Sequence, residues 1–109
     1  AMNGWKVAYT EQAEEDLNGI YEYIAFSLHE PEIAKKQAKR IMEAAVKLNE
    51  MAFRFRLYEN EPWHRRGLRV LPVDNYLVFY LPVEEESTVA IIRIMYGGRN
   101  IEEQFFEDI

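Results

Sequence analysis

The stretch that decides the fold is Asn75–Phe105, NYLVFYLPVEEESTVAIIRIMYGGRNIEEQF. Its two apolar runs, Tyr76–Val83 and Thr88–Tyr96, are rich in β-branched and aromatic residues, as strands are. Between them lie Glu84, Glu85, Glu86 and Ser87, a short polar turn that can join only antiparallel neighbours. Both runs are apolar at consecutive rather than alternate positions, the pattern of central strands covered on both faces. Upstream, Leu68–Val73 reads as a further strand, joined through the tight-turn pair Asp74 and Asn75. These three strands are predicted to form an antiparallel meander.

Ahead of the meander the period changes from two to three and four. Trp5, Val7 and Tyr9 alternate as a short strand, and Thr10 then stands as an N-cap with Glu11 and Glu14 in the first helical turn. Ala13, Leu17, Ile20, Ile24 and Leu28 recur at helical spacing, with Tyr21 widening the stripe. His29, Glu30 and Pro31 interrupt it, and Ala34, Ala38, Ile41, Ala45 and Leu48 resume it, so residues 11–28 and 31–51 are predicted as an αα-hairpin. Residues 52–67, AFRFRLYENEPWHRRG, read as a loop punctuated by Pro62 and Gly67, with a brief strand near Phe53–Leu57. The predicted class is α+β, in the order βααβββ: a two-helix hairpin packed on an antiparallel sheet.

At 109 residues this is one domain, 1–109. No cysteine is present, which excludes disulfides and thiol nucleophiles and suits a reducing cytoplasm. No apolar run reaches membrane-spanning length and the N-terminal residues lack a signal-peptide core, so a cytoplasmic protein without membrane contact is expected. Ala1 ahead of Met2 reads as an added residue. With only His29 and His64, and no carboxylates at ligand spacing, neither a metal nor a cofactor is expected.

The net charge of −6 argues against indiscriminate nucleic-acid binding, but the charges are unevenly placed. All five lysines precede residue 50, whereas every cation from Arg54 to Arg99 is an arginine, the side chain suited to bidentate recognition of carboxylate or phosphate. The lysines Lys35, Lys36, Lys39 and Lys47, with Arg40, read as a solvated helix face. In the β half, Arg65, Arg66, Arg69, Arg93 and Arg99 are expected to line one concave surface, with Tyr76, Tyr80 and Tyr96 nearby. Arg93 interrupts an apolar strand and needs either a wet face or an acidic partner from the first helix or the C-terminal tail. Tyr76 and Tyr80 share one face of their strand and read as core. His64 is a candidate general base.

In order and in motif the chain resembles the RelE/ParE toxins of bacterial type II toxin–antitoxin modules. The likeness rests on TEQAEEDLNGIYEYIA, on RGLRVLPVDNYLVFY and on IIRIMYGGRN, in that order. It implies a toxin neutralised by a cognate antitoxin, acting either on DNA gyrase, as ParE-like members do, or as a ribosome-dependent mRNA endonuclease, as RelE-like members do. A degenerate toxin that only binds its antitoxin is a third reading, and a homodimer remains open. In the nuclease reading, Arg69, Arg99 and His64 are the catalytic candidates. Leu77 and Phe105, however, stand where the resemblance implies an arginine and a tyrosine, and Leu68 and Val70 where it implies lysines. The pattern is closer to the ParE-like branch, with Arg65, Arg66, Arg69, Tyr76, Arg93, Tyr96 and Arg99 as target- or antitoxin-binding residues. An acidic antitoxin segment is expected to pair with Arg65, Arg69 or Arg99.

Overall fold

The computed structural model describes residues 4–98 and Ile101. β1 (Lys6–Tyr9) leads into α1 (Glu11–Glu22), a π-helical turn (Tyr23–Ser27) and α2 (Pro31–Val46). A short helix, α3 (Trp63–Arg66), precedes β2 (Arg69–Val73), β3 (Tyr76–Val83) and β4 (Thr88–Tyr96). The sheet order is β1-β4-β3-β2.

The meander is antiparallel as predicted, with register running from Val73 opposite Tyr76 to Arg69 opposite Tyr80. One strand departs from the expected sheet: β1 pairs with β4 in parallel, Lys6 beside Thr88 and Tyr9 beside Ile91, so the sheet is mixed. Four alternating residues mark a strand but carry no turn that would fix its direction. Here the direction follows from the long excursion through the helices before the chain returns to the sheet.

Thr10 joins β1 to α1. Its Oγ1 accepts from Ala13 N at 3.1 Å and donates to Ile92 O at 3.1 Å, while its own N–H donates to Ile91 O at 3.0 Å. The helix start is thereby stitched to β4 at the point where β1 ends. Asp74, at φ 56°, forms the β2–β3 turn, and its carboxylate ties that turn to α2 by accepting from Arg40 at 2.8 Å and Gln37 at 3.1 Å.

Two apolar layers enclose the sheet. Under the helices lie Ala13, Ile41, Ala45 and Leu48, packed on Leu71, Val78, Tyr80, Ile91 and Ile94. On the opposite face Leu68, Val70, Phe79 and Met95 are covered by Tyr58 and Trp63. The loop segment that reads as irregular thus closes the second face, which explains why the central strands are apolar throughout. A register shift between Phe79 and Tyr80 moves the partner on β4 from Arg93 to Ile91, a β-bulge. Beyond it, Ile94 again joins the helix-side layer and Met95 the opposite one.

The π-helical turn changes the predicted stripe. Leu28 N donates to Tyr23 O, five residues back, at 3.1 Å, and the inserted residue rotates the next side chains about the helix axis. Ile24 is buried as expected, but Leu28, predicted on the core face, stands half exposed.

Candidate functional site

The predicted surface of five arginines is not a single surface among the described residues. Arg93 is inside the protein. Its Nε and Nη2 donate to the two carboxylate oxygens of Asp16 on α1, at 2.8 and 3.0 Å, and both side chains are about nine-tenths buried. The same carboxylate accepts from Ile94 N at 2.9 Å and Gln12 Nε2 at 3.2 Å. Asp16 thus supplies the acceptor that a neighbouring strand would give β4 beyond the end of β1. Of the fates open to Arg93, a wet face or an acidic partner from the first helix or the C-terminal tail, the acid of the first helix is realised, and its expected place on a binding surface is corrected accordingly.

Arg69 begins β2 and donates from Nη1 to the carbonyls of Phe55 at 2.6 Å and Phe53 at 3.2 Å, with its guanidinium 5.2 Å from the Phe53 ring centroid. Directly opposite stands Tyr80, fully buried, whose hydroxyl meets no hydrogen-bond partner among the described residues. Burial raises the Tyr80 pKa; the Phe55 backbone and Arg69 lie near enough to oppose the rise, though neither meets the hydroxyl in hydrogen-bond geometry. Arg69 is therefore a staple for the segment before α3.

On α3, Arg65 donates from its backbone N and from Nε to Glu61 Oε1 at 3.1 and 3.3 Å. His64 Nδ1 lies 3.6 Å from Glu61 Oε2. Donation by Arg65, first from its backbone and then from its side chain, holds the Glu61 pKa below the usual carboxylate range despite some desolvation, with His64 adding to the effect. Arg66 lies over the Trp63 ring at 5.1 Å. The lysines of α2 are solvated, as read from sequence, and partly self-neutralised through Lys35–Glu32 and Lys39–Glu43. Arg99 and Phe105 lie outside the described residues.

Tyr76 and Tyr96 fall elsewhere. Tyr76 sits four residues along β3 from Tyr80, about 13 Å from the Arg69 end of the sheet at strand rise. Tyr76 and Tyr96 are opposite one another, with rings 5.8 Å apart and edge-on. Burial first, then the neighbouring Tyr96 and Tyr23, raise the Tyr76 pKa. These tyrosines border a groove of about 690 Å³ between α1 and the outer part of β4, floored by Ile20, Ile24 and Ile94 and flanked by Tyr23, Leu28 and Ile33. Tyr23, Leu28, Ile33 and Tyr96 each leave about half of their surface to solvent. An added Cβ at Gly19, beside the groove, would meet nothing within 4 Å. Of its lining, the sequence pointed to Tyr76 and Tyr96 as binding residues; the helix-side wall of Tyr23, Leu28 and Ile33 was not assigned a function, its signal being the apolar crowding around the Pro31 break.

The sheet face beneath α3 carries the positions at which the resemblance implies catalytic cations. Leu68 and Val70 are buried there, and Leu77 packs against the same layer. At these three positions the face offers packing atoms in place of cations.

The family model for the ParE toxin of the type II toxin–antitoxin system parDE matches residues 7–101. No curated protein matches the sequence significantly. Among solved structures, the chromosomal ParDE toxin–antitoxin system from P. aeruginosa superposes with a TM-score of 0.69 at 25% identity, covering 84% of this chain and 95% of that one. The RelBE2 toxin–antitoxin complex from Mycobacterium tuberculosis gives 0.62 at 21% identity, covering 86% and 99%. A variant of the E. coli RelE toxin in the free state gives 0.65 at 9% identity, covering 96% and 93%, and these last two likenesses concern the fold alone. From β1 through both helices to the end of β4, the chain belongs to the ParE toxin family of type II toxin–antitoxin systems.

Proposed function

We propose that this toxin acts in the ParE manner, on DNA gyrase, and is held inactive by a cognate antitoxin seated in the groove between α1 and β4. The observation that carries the choice of target is the apolar sheet face: Leu68, Val70, Leu77, Phe79 and Met95 fill the region where a ribonuclease would need groups to move protons and hold charge developing on phosphate. A toxin that works by binding has no such requirement. His64, the remaining base candidate, is about half exposed beside Glu61 and is absent from that packing layer.

The groove supports the antitoxin assignment better than the arginines do. Arg65 and Arg69 already have partners within the chain, whereas Tyr23, Leu28, Ile33 and Tyr96 present apolar surface that a bound amphipathic segment would cover. Glu15 on the rim favours a segment with a cation next to its apolar face. Expression of the toxin alone from a tightly repressed promoter is expected to arrest bacterial growth, and co-expression of the antitoxin to restore it. Normal growth with abundant folded toxin would refute the activity.

A further inference from the structure

The segment 51–73 carries five arginines against two glutamates, a net charge of +3 in a chain of −6, so the remainder carries −9. The fold gathers this charge into one compact loop. Tyr58 N donates to Leu68 O at 2.7 Å and Val70 N to Arg56 O at 3.0 Å, clamping the outgoing and returning arms, while Leu68 N donates to Trp63 O at 3.1 Å and closes α3 onto the return. Tyr58 and Trp63 root the loop in the apolar layer below. It is an Ω-like loop with ends in register, of the kind in which function concentrates.

Two of its arginines are engaged by the fold, Arg69 with carbonyls and Arg65 with Glu61. The other three, Arg54, Arg56 and Arg66, are exposed and meet no carboxylate among the described residues. Arg54 lies 5.9 Å from the Phe55 ring centroid and Arg66 5.1 Å from that of Trp63, so aromatic faces orient two guanidinium groups. Phe53, next to Arg54 in the chain, is exposed as well. In an acidic chain with carboxylates in excess, these three pair with none among the described residues.

We propose that this loop is a docking surface for the phosphodiester backbone of duplex DNA, with Arg54, Arg56 and Arg66 as the phosphate contacts. The inference goes beyond the toxin's target and stands whether or not gyrase is that target. Three exposed guanidinium groups on a rooted loop suit the spaced oxygens of a sugar–phosphate backbone and supply no base-edge reading, so binding is without sequence preference. The negative remainder of the molecule keeps the contact weak and local, which agrees with the overall charge.

The test is fluorescence anisotropy of a labelled 20-base-pair duplex titrated with the toxin from 50 to 200 mM salt, with labelled polyglutamate as a second probe. Three phosphate contacts give a slope of log K against log salt of about −2.7, hence about a 40-fold loss of affinity over that range. Each single Arg→Gln change at 54, 56 or 66 should reduce the slope by about one. The combined Lys35→Gln, Lys36→Gln, Lys39→Gln variant on α2 should leave it unchanged. Absence of duplex binding at 50 mM salt, a slope indifferent to the three arginines, or equal binding of polyglutamate would overturn the proposal, the last by reassigning the loop to an acidic protein. Circular dichroism of each variant separates loss of contact from loss of fold.

Discussion

Gly19 offers a perturbation in which stability and binding should move in opposite directions. It lies within α1, where a glycine costs about 1 kcal/mol relative to alanine because the unfolded chain is freer and the helix gains no side chain. A Cβ placed there meets nothing within 4 Å, so Gly19→Ala should recover that energy without strain. For a domain of this size that is a rise in melting temperature of about 4–8 °C. Gly19→Leu should retain most of the gain, since leucine is nearly as good a helix former, but its side chain enters the groove beside Ile20 and Tyr23. A partner seated there must then shift or overpack, at a cost of about 1–3 kcal/mol, or roughly 5- to 150-fold in affinity. Thermal unfolding followed by circular dichroism, paired with calorimetric titration of the antitoxin, measures both effects on the same samples. A leucine variant that binds the antitoxin as tightly as the parent would remove the groove from the account. An alanine variant less stable than the parent would show that α1 is not open at this position.

Asp16→Ala should cost about 3 kcal/mol, a large share of the roughly 5–15 kcal/mol available to a small domain, because it takes the counter-charge from buried Arg93 and the acceptor from Ile94 N–H. Adding Arg93→Met should recover part of that loss, and a urea-unfolding cycle in which the single change costs under about 1 kcal/mol would contradict the buried-pair reading. Tyr80→Phe removes a buried hydroxyl without a hydrogen-bond partner among the described residues and should leave stability at pH 7 equal or higher by about 1 kcal/mol. Because the folded Tyr80 pKa lies above the ordinary value of 10.0, its contribution is fully present below that pH and lost as pH rises through the folded value. The phenylalanine variant should therefore lose less stability than the parent between neutral pH and pH 11, and an unchanged alkaline loss would argue against it.

Much of the architecture was legible because periodicity changes where the elements change. Thr10 caps α1, Pro31 begins α2, and the Asp74 turn joins β2 to β3, each from local chemistry that packing did not override. The direction of β1 was not legible, since a four-residue alternation is compatible with either orientation and its partner lies some eighty residues away. Nor was the π-helical turn: Leu28 fits a 3.6-residue stripe, and only the hydrogen bond from its N–H to Tyr23 O reveals that the stripe has turned toward solvent. For the candidate site, the need of Arg93 for a wet face or an acidic partner followed from burying charge in an apolar strand, while the choice of Asp16 among the first-helix and tail acids did not. The spending of Arg69 on the Phe53 and Phe55 carbonyls did not, because backbone acceptors have no residue signature.

The proposed action of this family member, binding gyrase without cutting RNA, is tested by adding the purified toxin in parallel to gyrase with relaxed plasmid and to translating ribosomes with a defined mRNA. Inhibited supercoiling or trapped DNA cleavage complexes, reversed by the antitoxin, are expected together with intact message. Codon-dependent mRNA cleavage with gyrase unaffected would contradict it, and would require that groups outside the apolar face of Leu68, Val70 and Leu77 carry out the proton transfers.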